Sequence, residues 1–160
     1  MTLGSSEQAE EAGRRGGLEE FVLNVPPDPD QVRTTRLFAA AIARFYGVED
    51  DRIEDLKVAI SEAATNGIKA HREARATDPL RVSVALQGDG LRFSVIDAGP
   101  GFDVEDVPAG ASEAMTPRMG IFEGSLGLTV IRALFPDVEI TKNTERGMTL
   151  SFVLEATFAD

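Results

Sequence analysis

Val82-Ser-Val-Ala-Leu-Gln-Gly-Asp-Gly-Leu-Arg-Phe-Ser-Val-Ile-Asp97 is the stretch on which the fold turns. Val82, Val84 and Leu86 alternate with less apolar neighbours, and so do Leu91, Phe93 and Val95. That is the period of strands with one buried face. Gly88-Asp89-Gly90 between them is a tight turn, so the two runs predict a β-hairpin. Asp97 continues the row of Phe93 and Val95. Side chains on a strand alternate faces, so this carboxylate is expected on the core side. A carboxylate there requires hydrogen-bond donors or a ligand.

Working outward toward the N-terminus, Phe21, Leu23 and Val25 also alternate and predict a first strand, stopped by Pro26-Pro27-Asp28-Pro29. A helix is expected from about Asp30 to Tyr46, with Phe38, Ala41, Ile42 and Phe45 on its apolar stripe and Gly47 at its end. A second helix starts near Glu49 to Asp51, where carboxylates complement the positive end of the dipole, and runs to about Ala74. Its stripe is Ile53, Leu56, Ile60, Ala63, Ala64 and Gly67. Glu62 and Asn66 fall on nearly the opposite side and are adjacent to each other on one face.

Toward the C-terminus, Asp97 to Glu123 has little regular pattern and carries Gly99, Pro100, Gly101, Pro108, Gly110, Pro117 and Gly120. An irregular stretch of that length in a compact domain is functional or disordered. A helix is expected from Gly124, with Gly127, Leu128, Ile131, Leu134 and Phe135 on one side and Pro136 ending it. Val138 to Thr141 and Met148 to Leu154 predict two more strands, the second with Met148, Leu150, Phe152 and Leu154 on one face. The order β, α, α, β, β, loop, α, β, β predicts an α+β fold. It is a two-layer α/β sandwich in which a mixed, mostly antiparallel sheet is covered by helices on one face. Residues 18–156 form the expected domain, and 1–17, rich in Gly, Ser, Glu and Ala, an expected disordered tail.

Composition narrows the chemistry. The 160 residues include no cysteine, which excludes disulfides and thiolate metal sites and agrees with a cytoplasmic setting. The single histidine, His71, excludes a histidine-rich metal site and argues against a Ser-His-Asp triad. A net charge of −11 repels nucleic acid and suits basic partners. No apolar run approaches the ~20 residues of a membrane helix, and the first residues lack the apolar segment of a secretory signal. Neither direct nucleic-acid binding nor membrane insertion is expected.

Three pieces carry candidate chemistry. Glu62-Ala-Ala-Thr-Asn66 puts a carboxylate and a carboxamide one helical turn apart. Asp97-Ala-Gly-Pro-Gly101 puts an inward carboxylate beside glycines that let a ligand approach the backbone. Gly124-Ser-Leu-Gly-Leu128 opens a helix, where free N–H groups and the dipole favour anions. It is neither a Walker A loop nor a Rossmann fingerprint. Singly, each has a plain reading: a solvated helix face, a hairpin exit, a loop entering a helix. In this order and spacing they resemble the GHKL (Bergerat-fold) ATPases. The Glu-Asn helix is similar to their N box, Asp97 to Gly101 to the G1 box, and Gly124 to Leu128 to the G2 box. Val58-Ala-Ile-Ser-Glu-Ala-Ala-Thr-Asn66 and Leu126-Gly-Leu-Thr-Val-Ile-Arg-Ala-Leu134 are similar to the anti-sigma-factor serine kinase branch. The resemblance covers roughly Leu18 to Leu154.

The resemblance implies ATP and Mg²⁺ as cofactors and a role for each matched residue. Glu62 is the implied general base, Asn66 the implied Mg²⁺ ligand, and Asp97 the acceptor for the adenine amino group. Gly99 and Gly101 line the base pocket, 103–123 is the ATP lid, and Gly124, Ser125, Leu126, Gly127 and Leu128 hold phosphates by backbone N–H groups. The implied function is an anti-sigma serine protein kinase that sequesters a sigma factor and phosphorylates an anti-anti-sigma (STAS) protein, as a homodimer. Val22, Ile96 and Val153 on the outer sheet face suit such a second copy. An alternative is a partner-binding regulator of this fold with weak or no ATP turnover. Three positions depart from the branch. Ser125 stands where a glycine is usual. Met148 stands in the adenine pocket where a threonine is usual, with Thr149 one residue late and facing outward. The branch's histidine position is Ala70, and His71 is turned about 100° away, toward solvent or a capping role.

Overall fold

The expected hairpin is at the centre of the sheet: β2 (Leu80–Gln87) and β3 (Gly90–Ile96) pair antiparallel with Val84 opposite Phe93. The structure, a computed structural model, describes residues 19–99, 119–143 and 146–156. The expected tail, Gly101 and residues 103–118 of the expected lid lie outside the described residues. Around the hairpin lie β1 (Glu20–Val25), α1 (Val32–Phe45, preceded by a short 3₁₀ turn), α2 (Asp50–Glu73), α3 (Met119–Leu134), β4 (Glu139–Lys142) and β5 (Met148–Glu155). The strand order is β1-β2-β3-β5-β4, and every pairing is antiparallel. This is the two-layer α+β arrangement that the alternating runs predict.

Burial follows from the alternation. Val82, Val84, Leu91, Phe93, Val95, Phe152 and Leu154 present one sheet face to the helices. The helices answer with Ala39, Ala40 and Ile42 of α1, Ile53, Leu56, Ile60, Ala63 and Ala64 of α2, and Ile131 of α3. Phe152 stacks between Phe135 at 4.2 Å and Phe93 at 5.8 Å between ring centroids. Full burial of each such side chain is worth about 1.5–3 kcal/mol, which makes this layer the main stabilising term. Helix α2 begins with Asp50 and Asp51 and carries Arg72 in its last turn, charges that complement its dipole. No described helix is long and apolar enough to cross a membrane.

Three expectations are corrected. The buried side of α1 is Thr35, Ala39, Ala40, Ile42 and Ala43, while Ala41 is exposed and Phe45 is 80 % exposed. Small side chains let α1 approach α2 closely, which rotates Phe45 off the core; its ring meets Tyr46 edge-on at 5.0 Å. Phe21 is 38 % exposed, because β1 is a sheet edge and only Val25 at its far end is fully covered. Finally, α3 begins at Met119 and not at Gly124, so Gly124 to Leu128 lie inside the helix.

Candidate functional site

Helix α2 carries the site on residues 62–71, with Glu62 and Asn66 toward α3 and Gly67 toward the sheet. Glu62 and Asn66 are half-buried, one turn apart, and neither has a hydrogen-bond partner among the described residues. Gly67 follows. A Cβ on Gly67 would lie 3.4 Å from the Cβ of Asp97 and 2.7 Å from Leu80 Cδ1. The exit of β3 therefore rests directly on α2, and Asp97 points toward the helix layer as its row predicts. One turn further, a Cβ on Gly99 would lie 2.7 Å from the Cβ of Ala70. Alanine at position 70 leaves the room that this close approach uses.

Gly127 of α3 closes the group from the other side. A Cβ there would lie 2.9 Å from Glu62 Oε2 and 3.0 Å from Asn66 Nδ2. Only hydrogen at that position leaves both polar ends undisturbed. Glu62, Asn66, Asp97, Gly99 and Gly127 thus converge on one stretch of α2. Leu128, buried next to Gly127, belongs to the packing layer. Gly124, Ser125 and Leu126 do not form the expected helix entry. The free N–H groups of a helix are those of its first turn, and here that turn starts at Met119.

Asp97 is the most constrained charge. Its Oδ1 accepts N–H bonds from Gly99 at 3.0 Å and Met148 at 3.3 Å. Oδ2 has no hydrogen-bond partner among the described residues. Burial pushes the carboxyl above the ordinary carboxylate range; the two backbone N–H groups pull it back, and burial wins. The main chain is tied as well: Asp97 N–H donates to the Met148 carbonyl at 2.9 Å. Met148 itself is buried, on the face opposite Thr149.

Two neighbours of Asp97 escape sequence reasoning. Asn143 Nδ2 donates to the Asp97 carbonyl at 3.2 Å, and the Thr149 hydroxyl donates to Asn143 Oδ1 at 2.6 Å. Thr149 faces outward as expected, yet it orients the asparagine that holds Asp97. A turn asparagine is common, and no spacing in the sequence marks this one. The second is His71. It is fully buried, with no solvent or capping role, because the Asp97-to-Gly99 exit covers the last turn of α2.

Gly147 is the tightest point. Its φ is +89°, and a Cβ would lie 1.8 Å from the Asp97 carbonyl oxygen. Gly147→Ala is therefore expected to destabilise by roughly 3–5 kcal/mol, since backbone must move at a left-handed position. The urea midpoint of the variant measures it, and an unchanged midpoint would contradict the packing described.

Comparison with known proteins shows the family of the chain. A profile of the histidine kinase-like ATPase domain matches residues 25–154. The serine-protein kinase RsbW of Oceanobacillus iheyensis is 32% identical over 120 residues, 74% of this chain and 76% of that protein. RsbW of Bacillus licheniformis is 33% identical over 128 residues, 79% of each. Among solved structures, the RsbU and RsbW domains of a Mycobacterium tuberculosis protein align with a TM-score of 0.60 at 20% identity, over 87% of this chain and 32% of that one. A chain of the SiaB-SiaC complex from Pseudomonas aeruginosa aligns with a TM-score of 0.62 at 12% identity, over 93% of this chain and 96% of that one. At those identities the two structures share the fold. The chain belongs to the histidine kinase-like ATPase domain family, and within it to the serine-protein kinase branch.

Proposed function

We propose that the protein is an anti-sigma regulatory kinase that binds ATP with Mg²⁺, sequesters a sigma factor and phosphorylates a serine on a STAS-type protein. The observation that carries this reading is the convergence of Glu62, Asn66 and Asp97 on α2. Asp97 spends one oxygen on backbone donors and keeps the other for a base amino group. Asn66 offers one carboxamide oxygen beside the Glu62 carboxylate, which suits Mg²⁺: that ion takes few protein ligands and completes its shell with phosphates and water. When bound, the ion neutralises charge developing on the transferred phosphoryl group.

Glu62 accepts the proton of the seryl hydroxyl as that oxygen bonds to the γ-phosphorus. The bond from the γ-phosphorus to the β–γ bridging oxygen breaks, and ADP leaves with the electron pair. Catalysis here is positioning, so few side chains are needed. Backbone contacts from Gly124, Ser125, Leu126, Gly127 and Leu128 to phosphates require α3 to begin later in the nucleotide-bound protein than it does here. Gly101 and residues 103–123 complete the base pocket and the lid in this reading. A homodimer would cover the outer sheet face, where Val22 and Val153 are each 41 % exposed; light scattering that shows only monomer removes that element.

One observation favours a second reading, a partner-binding regulator with little turnover. Met148 places a buried thioether where the branch has a hydroxyl, and its hydrogen bond to the Asp97 carboxylate comes from its backbone N–H. A thermal-shift titration with Mg-ATP decides. A ligand at 100 times its dissociation constant stabilises by about 2.7 kcal/mol. A shift followed by phosphoserine on the STAS partner supports the kinase. No shift at millimolar Mg-ATP supports the binding module.

A further inference from the structure

The peptide joining Asp97 to Ala98 is held at both of its poles. Its carbonyl accepts from Asn143 Nδ2 at 3.2 Å, and its N–H donates to His71 Nε2 at 2.7 Å. The other ring nitrogen, His71 Nδ1, lies 3.0 Å from the Asp78 carbonyl oxygen. A carbonyl can only accept and an amide N–H can only donate. One form of the ring satisfies both contacts: the neutral imidazole with its proton on Nδ1. The ring is fully buried, so water cannot replace either bond.

The clamp spans four parts of the chain. His71 stands in the last turn of α2. Asp78 lies in the loop entering β2, and its carboxylate pairs with Arg146 of the turn between β4 and β5. That same turn carries Asn143. Fixing both poles of one peptide fixes ψ of residue 97 and φ of residue 98. Together with ψ of residue 98, those two torsions place the Gly99 N–H that bonds Asp97 Oδ1, and that bond sets which way Oδ2 faces.

We infer that His71 is a positioning residue for base recognition: it sets the aim of the Asp97 carboxylate through the Asp97–Ala98 peptide. The inference rests on the ATP reading above and adds to it a residue that touches neither nucleotide nor protein substrate. It also explains why the histidine follows Ala70. Position 70 must stay small for Gly99 to pack on α2, and position 71 is the one that faces the peptide N–H.

The test compares His71→Ala, His71→Gln and His71→Asn with the unaltered chain. Glutamine places an acceptor oxygen near the position of Nε2, whereas asparagine keeps only a donor near the position of Nδ1. Affinities for ATP, ADP and adenosine are measured by calorimetry, with kcat and KM for ATP in phosphoryl transfer. His71→Ala and His71→Asn are expected to weaken all three ligands by the same factor, about tenfold for one buried hydrogen bond. His71→Gln is expected to stay within about threefold of the unaltered chain, half that energy on the same scale. KM for ATP rises and kcat at saturation holds, as for lost ground-state binding. Imidazole ¹⁵N spectra of the unaltered protein are expected to show the Nδ1–H form.

Folded His71→Ala with unchanged affinity, glutamine and asparagine variants of equal affinity, or an Nε2–H ring would each overturn the inference while leaving the ATP reading intact. If alanine prevents folding, the glutamine–asparagine comparison and the ring spectrum still decide. An unaltered chain that binds no adenine compound overturns the ATP reading and this inference with it.

Discussion

Glu62→Gln is expected to leave Mg-ATP affinity within about threefold and to lower phosphoryl transfer by about 10²–10⁴-fold, the contribution of a positioned general base. The substitution isolates the chemistry. A glutamine carboxamide matches the carboxylate in shape, so the contact with Gly127 and the neighbouring turn of Asn66 are kept. What is lost is an atom able to take the seryl proton at the moment of attack. Glu62 is half-buried and outside the apolar layer formed by Ile60, Ala63 and Ala64, so the melting temperature should move little. The measurement is single-turnover formation of phosphoserine on the STAS partner at saturating Mg-ATP. A rate equal to that of the unaltered chain would remove Glu62 from the mechanism. Loss of transfer together with loss of nucleotide binding would mean that the carboxylate serves the ligand and not the proton. Under the proposed function, a sigma factor should bind both proteins equally, because that proposed role does not use the proton acceptor.

Local periodicity wrote much of the site into the sequence. The hairpin is legible because Val82, Val84, Phe93 and Val95 alternate without interruption, and that alternation alone turns Asp97 inward. The pair Glu62 and Asn66 is legible because a four-residue step keeps two side chains on one helix face. The parts that were not legible depend on which segment covers which. His71 is rotated away from Asn66 on an isolated helix, and solvent is the natural guess. The Asp97-to-Gly99 exit, 27 residues on in the case of Ala98, covers that turn instead. Asn143 reaches the Asp97 carbonyl across 46 residues, a contact with no periodic trace. Phe45 is large and apolar, yet Ala39 and Ala43 take the interface because small residues allow closer helix packing. The start of α3 failed for a different reason. Gly124 and Gly127 each cost about 1 kcal/mol against alanine in a helix, which reads as a boundary. In the structure the helix runs through both, and at Gly127 the missing side chain is what lets α3 lie against Glu62 and Asn66.

Asp97→Asn is expected to stabilise the nucleotide-free protein near neutral pH and to weaken ATP by about 10–100-fold. Both effects follow from the same carboxylate. Its folded-state affinity for a proton is raised, chiefly by burial, above that of an exposed aspartate. Between the ordinary carboxylate value and the raised one, the folded state holds more protons than the unfolded state. Stability therefore falls as pH rises through that window, and the loss persists above it. Asparagine has no charge to desolvate, so the variant should show a flatter stability profile across that window and a higher melting temperature above it. Its Oδ1 can still accept from Gly99 and Met148, so the loop keeps its path. The cost appears on the ligand side. A hydrogen bond to a charged group is worth about 1.5–3 kcal/mol, equivalent to roughly 10–100-fold in affinity. The variant also turns an N–H₂ donor toward the adenine amino group, where the unaltered chain has a bare acceptor. Affinity of the unaltered chain should in turn fall as pH drops through the raised value, since the protonated carboxyl is a poorer acceptor. Thermal melts with and without Mg-ATP, run across acidic to neutral pH on both proteins, read all of these at once. A variant less stable than the unaltered chain near neutral pH would show that burial does not dominate at Asp97. A variant that binds ATP normally would show that Oδ2 does not face the base.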